Sequence, residues 1–161
     1  MDDPSSPIEI IVEDEGWDEA GPDWDALADD LVARLLRRMP DAAPGTIAIL
    51  LTDDAKLQEL NRIFRSKDGP TNVLSFPAPP HTGALGDIAI AYGVCAREAE
   101  GQGKTLRDHA AHLILHGVLH LHGFDHEAGE EEAESMEALE RAILAEIGVA
   151  DPYQEQRSLH A

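Results

Sequence analysis

Residues 109–126 read HAAHLILHGVLHLHGFDH, and the interpretation of the chain turns on this stretch. Six of the eight histidines fall within it, a density that demands a chemical reason. Upstream, Thr105 with Asp108 three residues on resembles a capping box, and it predicts a helix running to about His122. Gly123 is well placed to end that helix in the left-handed conformation. Residues four apart on a helix share a face about 6 Å apart along the axis, a spacing that suits two imidazoles on one tetrahedral zinc. His112 with His116, and His116 with His120, are two such pairs. All three cannot bind one ion, because His112 and His120 are about 12 Å apart along the helix.

The turn after the helix chooses between the pairs. Gly123 permits a sharp reversal, and His126 three residues later can return to the same ion, which selects His116, His120 and His126 as ligands. The pattern H-x-x-x-H-x-x-G-x-x-H has the ligand spacing of the metzincins. Three histidines leave a coordination position for water, as a catalytic zinc requires, and water there falls from a pKa near 16 toward ~7. His109, His112 and His122 default to packing roles, His112 with a supporting or substrate-facing role as its alternative. His81 and His160 fall in a loop and a tail and read as solvated. One part of the protease pattern is missing: zincin and metzincin proteases carry a Glu directly after the first histidine, and here that residue is Gly117. Gly inside a helix costs about 1 kcal/mol relative to Ala, so something approaches the backbone at Gly117, either substrate or a packed neighbouring element.

Working outward, Ile8 to Val12 reads as a first strand. Asp23 caps a helix from about Trp24 to Arg38 that carries Leu27, Leu31, Leu35 and Met39 at four-residue spacing and stops at Pro40. Thr46 to Leu51 reads as a second strand. Asp53 or Asp54 caps a helix with Leu57, Leu60, Ile63 and Phe64 on one face. Asn72 to Phe76 and Leu85 to Ala91 form a hairpin with a long Pro/Gly-rich connection. Helices follow from about Val94, the last of them Glu130 to Ile147 with Met136, Leu139, Ile143, Leu144 and Ile147 inward. The expected architecture is α+β: a small mixed sheet with about five helices, one of them the zincin-like metal helix, in a single domain over residues 1–161.

Composition narrows the function. The single cysteine, Cys95, excludes an intramolecular disulfide and reads as a small buried hydrophobe in a reducing compartment. With no signal-like N-terminus and no apolar run near the length of a membrane span, the chain is expected in the cytoplasm. A net charge of −20 argues at first against a nucleic-acid partner. Its distribution reverses that inference. Residues 1–30 hold 12 acidic and no basic side chains, and residues 127–146 hold eight Glu against Arg141. Residues 56–107 hold seven basic against five acidic side chains, so the middle of the chain is mildly basic.

Three stretches together carry a family resemblance. HGVLHLHGFDH (116–126) looks like the histidine motif of the YbeY family, ELNRIFRSKDGPTNVLSFP (59–77) like its second signature, and LGDIAI (85–90) like a third. The resemblance implies a mixed four-stranded sheet, one Zn2+ on His116, His120 and His126, and hydrolytic endonucleolytic cleavage of single-stranded RNA rather than DNA. It further implies maturation of the 3′ end of small-subunit rRNA, ribosome quality control, and ribosomal RNA or ribosomal proteins as partners. The arginine of the second motif is Arg65, expected to contact the RNA phosphate and to act with His116 in catalysis; a guanidinium takes two phosphate oxygens at once. Lys67 and Ser75 are the further substrate-binding candidates, and Asp125 is a candidate for orienting a ligand histidine. Two other readings compete: a metzincin-like metalloprotease, disfavoured by Gly117, and a non-catalytic ribosome assembly factor with a structural zinc. With so little positive charge, naked RNA should bind weakly, recognition being completed by the ribosome or a protein partner.

Overall fold

A computed structural model describes residues 8–19, 23–42, 45–66, 71–79, 81–124 and 129–153. Strands β1 (Ile8–Val12), β2 (Thr46–Thr52), β3 (Val73–Pro77) and β4 (Ala84–Ala91) form one sheet in the order β1-β2-β4-β3. β1, β2 and β4 run parallel, and β3 pairs antiparallel with β4, Ser75 opposite Ile88. This is the expected mixed four-stranded sheet, and β3–β4 is the expected hairpin.

Alternation along the strands sorts their side chains into two layers. Ile47, Ile49, Leu51, Ile88 and Ile90 point to one face, where they join the main core with α2 (Trp24–Arg38) and α5 (Leu106–Leu121). Leu74, Ala89 and Ala91 point to the other, where they meet Leu57 of α3 (Asp54–Arg65). α2 begins as expected, Asp23 accepting from the Ala26 N–H, and it buries Leu27, Leu31 and Leu35. A short helix, α1 (Glu15–Glu19), has no counterpart in the expectations from sequence. Five residues are too few to show a period; what holds α1 is Trp17, fully buried, whose indole donates to the Thr52 carbonyl and stacks edge-on against Trp24.

The apolar face expected of α3 is only partly buried. Leu57 is in the core and Leu60 half-buried, but Ile63 is 53% and Phe64 64% exposed. At about 100° per residue Ile63 falls off the Leu57 face, and Asn61 takes the inward place. Phe64, in the last turn, packs its ring edge-on against Phe76 on β3.

α4 (Tyr92–Gly101) leads into α5, which is capped as predicted: the Thr105 hydroxyl accepts from the Asp108 N–H at 3.1 Å. The capping box is not reciprocal, because the Asp108 carboxylate is engaged by Arg107. α5 buries Leu113, Ile114, Leu115, Val118 and Leu119, so it is apolar on most of its circumference. Four of its histidines make one stripe, His109, His112, His116 and His120. Gly123, at φ +97°, ends the helix as the sequence predicts. α6 (Glu130–Glu146) then packs Met136, Ile143 and Leu144 into the core, bringing a sixth helix against the stripe.

Candidate metal centre

The stripe on α5 is held from three sides. At its start, the His109 ring lies 2.9 Å from a Glu98 oxygen that also accepts from the Asn72 amide, tying α4, α5 and the start of β3 together. Burial holds the His109 pKa below its ordinary value, with Glu98 opposing that shift. In the middle, Gly117 answers the question its presence raised. A Cβ there would sit 3.0 Å from the Ile88 side chain and 3.1 Å from Ser75 Oγ, so the element that approaches the helix backbone is the β3–β4 hairpin. Ser75 is half-buried, and its hydroxyl donates to the Gly117 carbonyl at 3.3 Å. Replacing Gly117 with Val is expected to cost about 1–3 kcal/mol through overpacking, despite the helix-propensity gain, and urea denaturation would measure it. A variant as stable as the wild type would show that the hairpin yields freely.

On the third side stands Glu140 of α6, with no solvent exposure. Its Oε1 lies 2.9 Å from His116 Nδ1, while its Oε2 lies 2.6 Å from His112 Nε2 and accepts from the Tyr153 hydroxyl at 2.6 Å. Burial pushes this carboxyl up, and the hydrogen bonds from His112 and His116 outweigh it, bringing the pKa down to about 2. Tyr153 is pushed well above the ordinary phenol range by its burial and by the Glu140 charge. The other edge of the His116 ring faces along the stripe: its Nε2 lies 3.1 Å from His120 Nε2.

Among the described residues, His112, His116 and Glu140 offer ligand atoms that all lie within 4.8 Å of one another, so this group could hold a metal ion. His116 and His120 are brought together as the sequence pattern requires. His126, with Asp125, lies outside the described residues, as does Lys67. Arg65 is the last residue of α3, exposed, and the helix ends with Ser66 in the left-handed conformation. α3 covers the sheet face opposite α5, so Arg65 and the histidine stripe belong to different layers of the fold.

Sequence reasoning missed Glu140 and Tyr153. Glu140 sits among eight Glu in residues 127–146, and acid in that number reads as a solvated face. One signal was available: Glu140 lies four residues after Met136 and four before Leu144, on the face that α6 buries. Cys95 is buried as expected, and burial pushes its thiol up to about 12, which keeps it protonated and unreactive. No described helix is long and apolar enough to cross a membrane.

Residues 12–148 match the family model described as Endoribonuclease YbeY. An Endoribonuclease YbeY of Maricaulis maris is 49% identical over 147 residues, covering 91% of each chain. One of Paramagnetospirillum magneticum is 50% identical over 151 residues, covering 87% of this chain and 91% of its own. The solution structure of TM1509 from Thermotoga maritima superposes with a TM-score of 0.63 at 25% identity, over 94% of this chain and 93% of that one. A family model matched over residues 12–148, a matching fold and half-identical relatives along nearly the whole length leave one conclusion: the chain belongs to the YbeY endoribonuclease family.

Proposed function

We propose that this chain is a zinc-dependent endoribonuclease, a single catalytic unit that cuts single-stranded RNA at a centre built on His116 and His120, with His126 as third ligand. The observation that carries the reading is the convergence of the two Nε2 atoms at 3.1 Å. Two ligands that share a tetrahedral zinc at about 2.0–2.1 Å stand about 3.3–3.4 Å apart, so this pair needs almost no movement. The 2.6 Å between His112 Nε2 and Glu140 Oε2 is instead the length of a strong charge-assisted hydrogen bond, too close for two ligands flanking one ion.

A cation there would supply Lewis-acid polarisation of a phosphodiester and of attacking water. The chain's own residues do the rest. Glu140 orients His116, the β3–β4 hairpin fixes the helix through Gly117 and Ser75, and Ser75 borders the site. Arg65 and Lys67 are the phosphate contacts of this reading. An RNA strand crossing the β3 edge meets Arg65 on one side of the sheet and the histidine stripe on the other. The substrate is single-stranded ribosomal RNA, at the 3′ end of the small-subunit RNA and in ribosome quality control, in the cytoplasm.

A single experiment tests the assignment: cleavage of a single-stranded RNA beside a DNA of the same sequence, with metal analysis of the protein. Chelation is expected to abolish RNA cleavage, zinc to restore it, and the DNA to stay intact. Arg65→Ala is expected to slow cleavage at sub-saturating RNA about 10- to 100-fold, the cost of losing one charge-assisted hydrogen bond to phosphate. Chelator-resistant cleavage, or full activity in Arg65→Ala, would refute the respective assignment. Digestion of casein that disappears with chelator would favour the protease reading, against which Gly117 stands in place of the general base.

A further inference from the structure

Glu140 is acceptor-only when ionised, and every neighbour of its carboxylate must therefore donate. Tyr153 donates its hydroxyl proton to Oε2, and His112 donates from Nε2 to the same oxygen. His116 donates from Nδ1 to Oε1. The proton on each imidazole is thereby assigned. His112 carries its proton on Nε2, and its buried Nδ1, which has no partner among the described residues, is a bare acceptor. The opposite tautomer would bury an unpaired N–H, which native proteins rarely tolerate. His116 carries its proton on Nδ1, which leaves the Nε2 lone pair pointing toward His120 and toward any cation between them.

We infer that Glu140 is a positioning residue for the metal centre: it fixes the tautomer and ring plane of His116, while His112 and Tyr153 hold the carboxylate in place from its other oxygen. The inference rests on the reading that His116 and His120 bind the cation. It removes His112 from the ligand set and gives it a task of its own. It also assigns a function to the C-terminal turn at Asp151–Tyr153, where the Asp151 carboxylate accepts from the Tyr153 N–H and shapes the backbone that delivers the phenol.

Glutamine is the informative replacement at position 140. It has nearly the shape of Glu but offers one acceptor oxygen and one donor nitrogen, so one of the two histidines must invert its tautomer. If His116 inverts, its Nε2 carries a proton and cannot ligate. The experiment uses the full chain: zinc affinity by competition with a chromophoric chelator, and the visible absorption of the Co2+-substituted protein. Glu140→Gln is expected to weaken zinc binding about 10- to 100-fold, the range for losing a partner that orients a ligand histidine. At saturation its Co2+ bands should match those of the wild type, because the ligands themselves are unchanged. Zinc affinity within twofold of wild type overturns the inference, and so does a shift of the Co2+ bands, which would make Glu140 a ligand. Should Glu140→Gln fail to fold, Tyr153→Phe removes one donor and leaves the carboxylate: a loss of about 3- to 10-fold is expected, and unchanged affinity overturns the proposal. His120→Ala separates the two levels. If it binds zinc as tightly as the wild type, the His116–His120 centre itself is wrong, whatever Glu140 does.

Discussion

Replacing His116 with Ala is expected to lower cleavage of single-stranded RNA at least about a thousandfold and to strip the protein of zinc at micromolar concentration. The magnitude follows from what the ligand supports: Lewis-acid stabilisation is worth several kcal/mol, and each 1.36 kcal/mol is a factor of ten in rate. The fold should survive. Glu140 would lose its donor at Oε1 but keep His112 and Tyr153 at Oε2, so the penalty is that of one unmade buried hydrogen bond, about 1–3 kcal/mol. His120→Ala is the matched control, since it leaves all three of these donors to Glu140 in place; it should lose zinc and activity alike with a smaller loss of stability. Circular dichroism, zinc content and initial rates on one RNA would read all three quantities. A folded His116→Ala protein that still cuts RNA at the wild-type rate would sink the catalytic centre. An unfolded one, beside a wild type that unfolds on chelation, would move the metal from catalysis to structure.

The second large effect is on stability. Glu140→Ala is expected to destabilise the protein by about 3–5 kcal/mol, the range for breaking a buried charged network by removing one partner. Three donors are orphaned at once: His112 Nε2, His116 Nδ1 and the Tyr153 hydroxyl. A cavity is added where the side chain was fully buried. For a chain of this size the loss corresponds to a fall in melting temperature of about 10 °C or more. The comparison belongs in chelator, because bound zinc would stabilise wild type and variant unequally and inflate the difference. An exposed carboxylate of the same helix supplies the control: Glu131→Ala should stay within about 0.5 kcal/mol of the wild type. A melting temperature for Glu140→Ala equal to that of Glu131→Ala would mean that water reaches the pocket and replaces the carboxylate.

What could be read from the chain and what could not divide along one physical line. The α5 helix, its Thr105 cap, its end at Gly123 and the four-residue spacing of His116 and His120 are consequences of local backbone geometry, and each is visible within about twenty consecutive residues. The same holds for the Asp23 cap, the α3 cap to within Asp53 or Asp54, the Leu27–Leu31–Leu35 face of α2, and the strands that alternate across the sheet. α1 escaped because its signal is one tryptophan rather than a period. Ile63 was misplaced because apolar character stood in for angular position, and Asn61 occupies the inward slot instead.

The amino-acid order alone therefore determined the α5 helix, the spacing of its histidines and the α+β class. It left open what approaches Gly117, and only the folded chain answered with Ile88 and Ser75. It set Glu140 apart from the acid around it only by its four-residue spacing from Met136 and Leu144, and only the docking of α6 on α5 joined that carboxylate to His116, 24 residues earlier. Periodicity and capping act over one or two turns, whereas the choice of a buried partner is made by which faces meet once the core has closed. Local order announces the first kind of information, and the second exists only after packing.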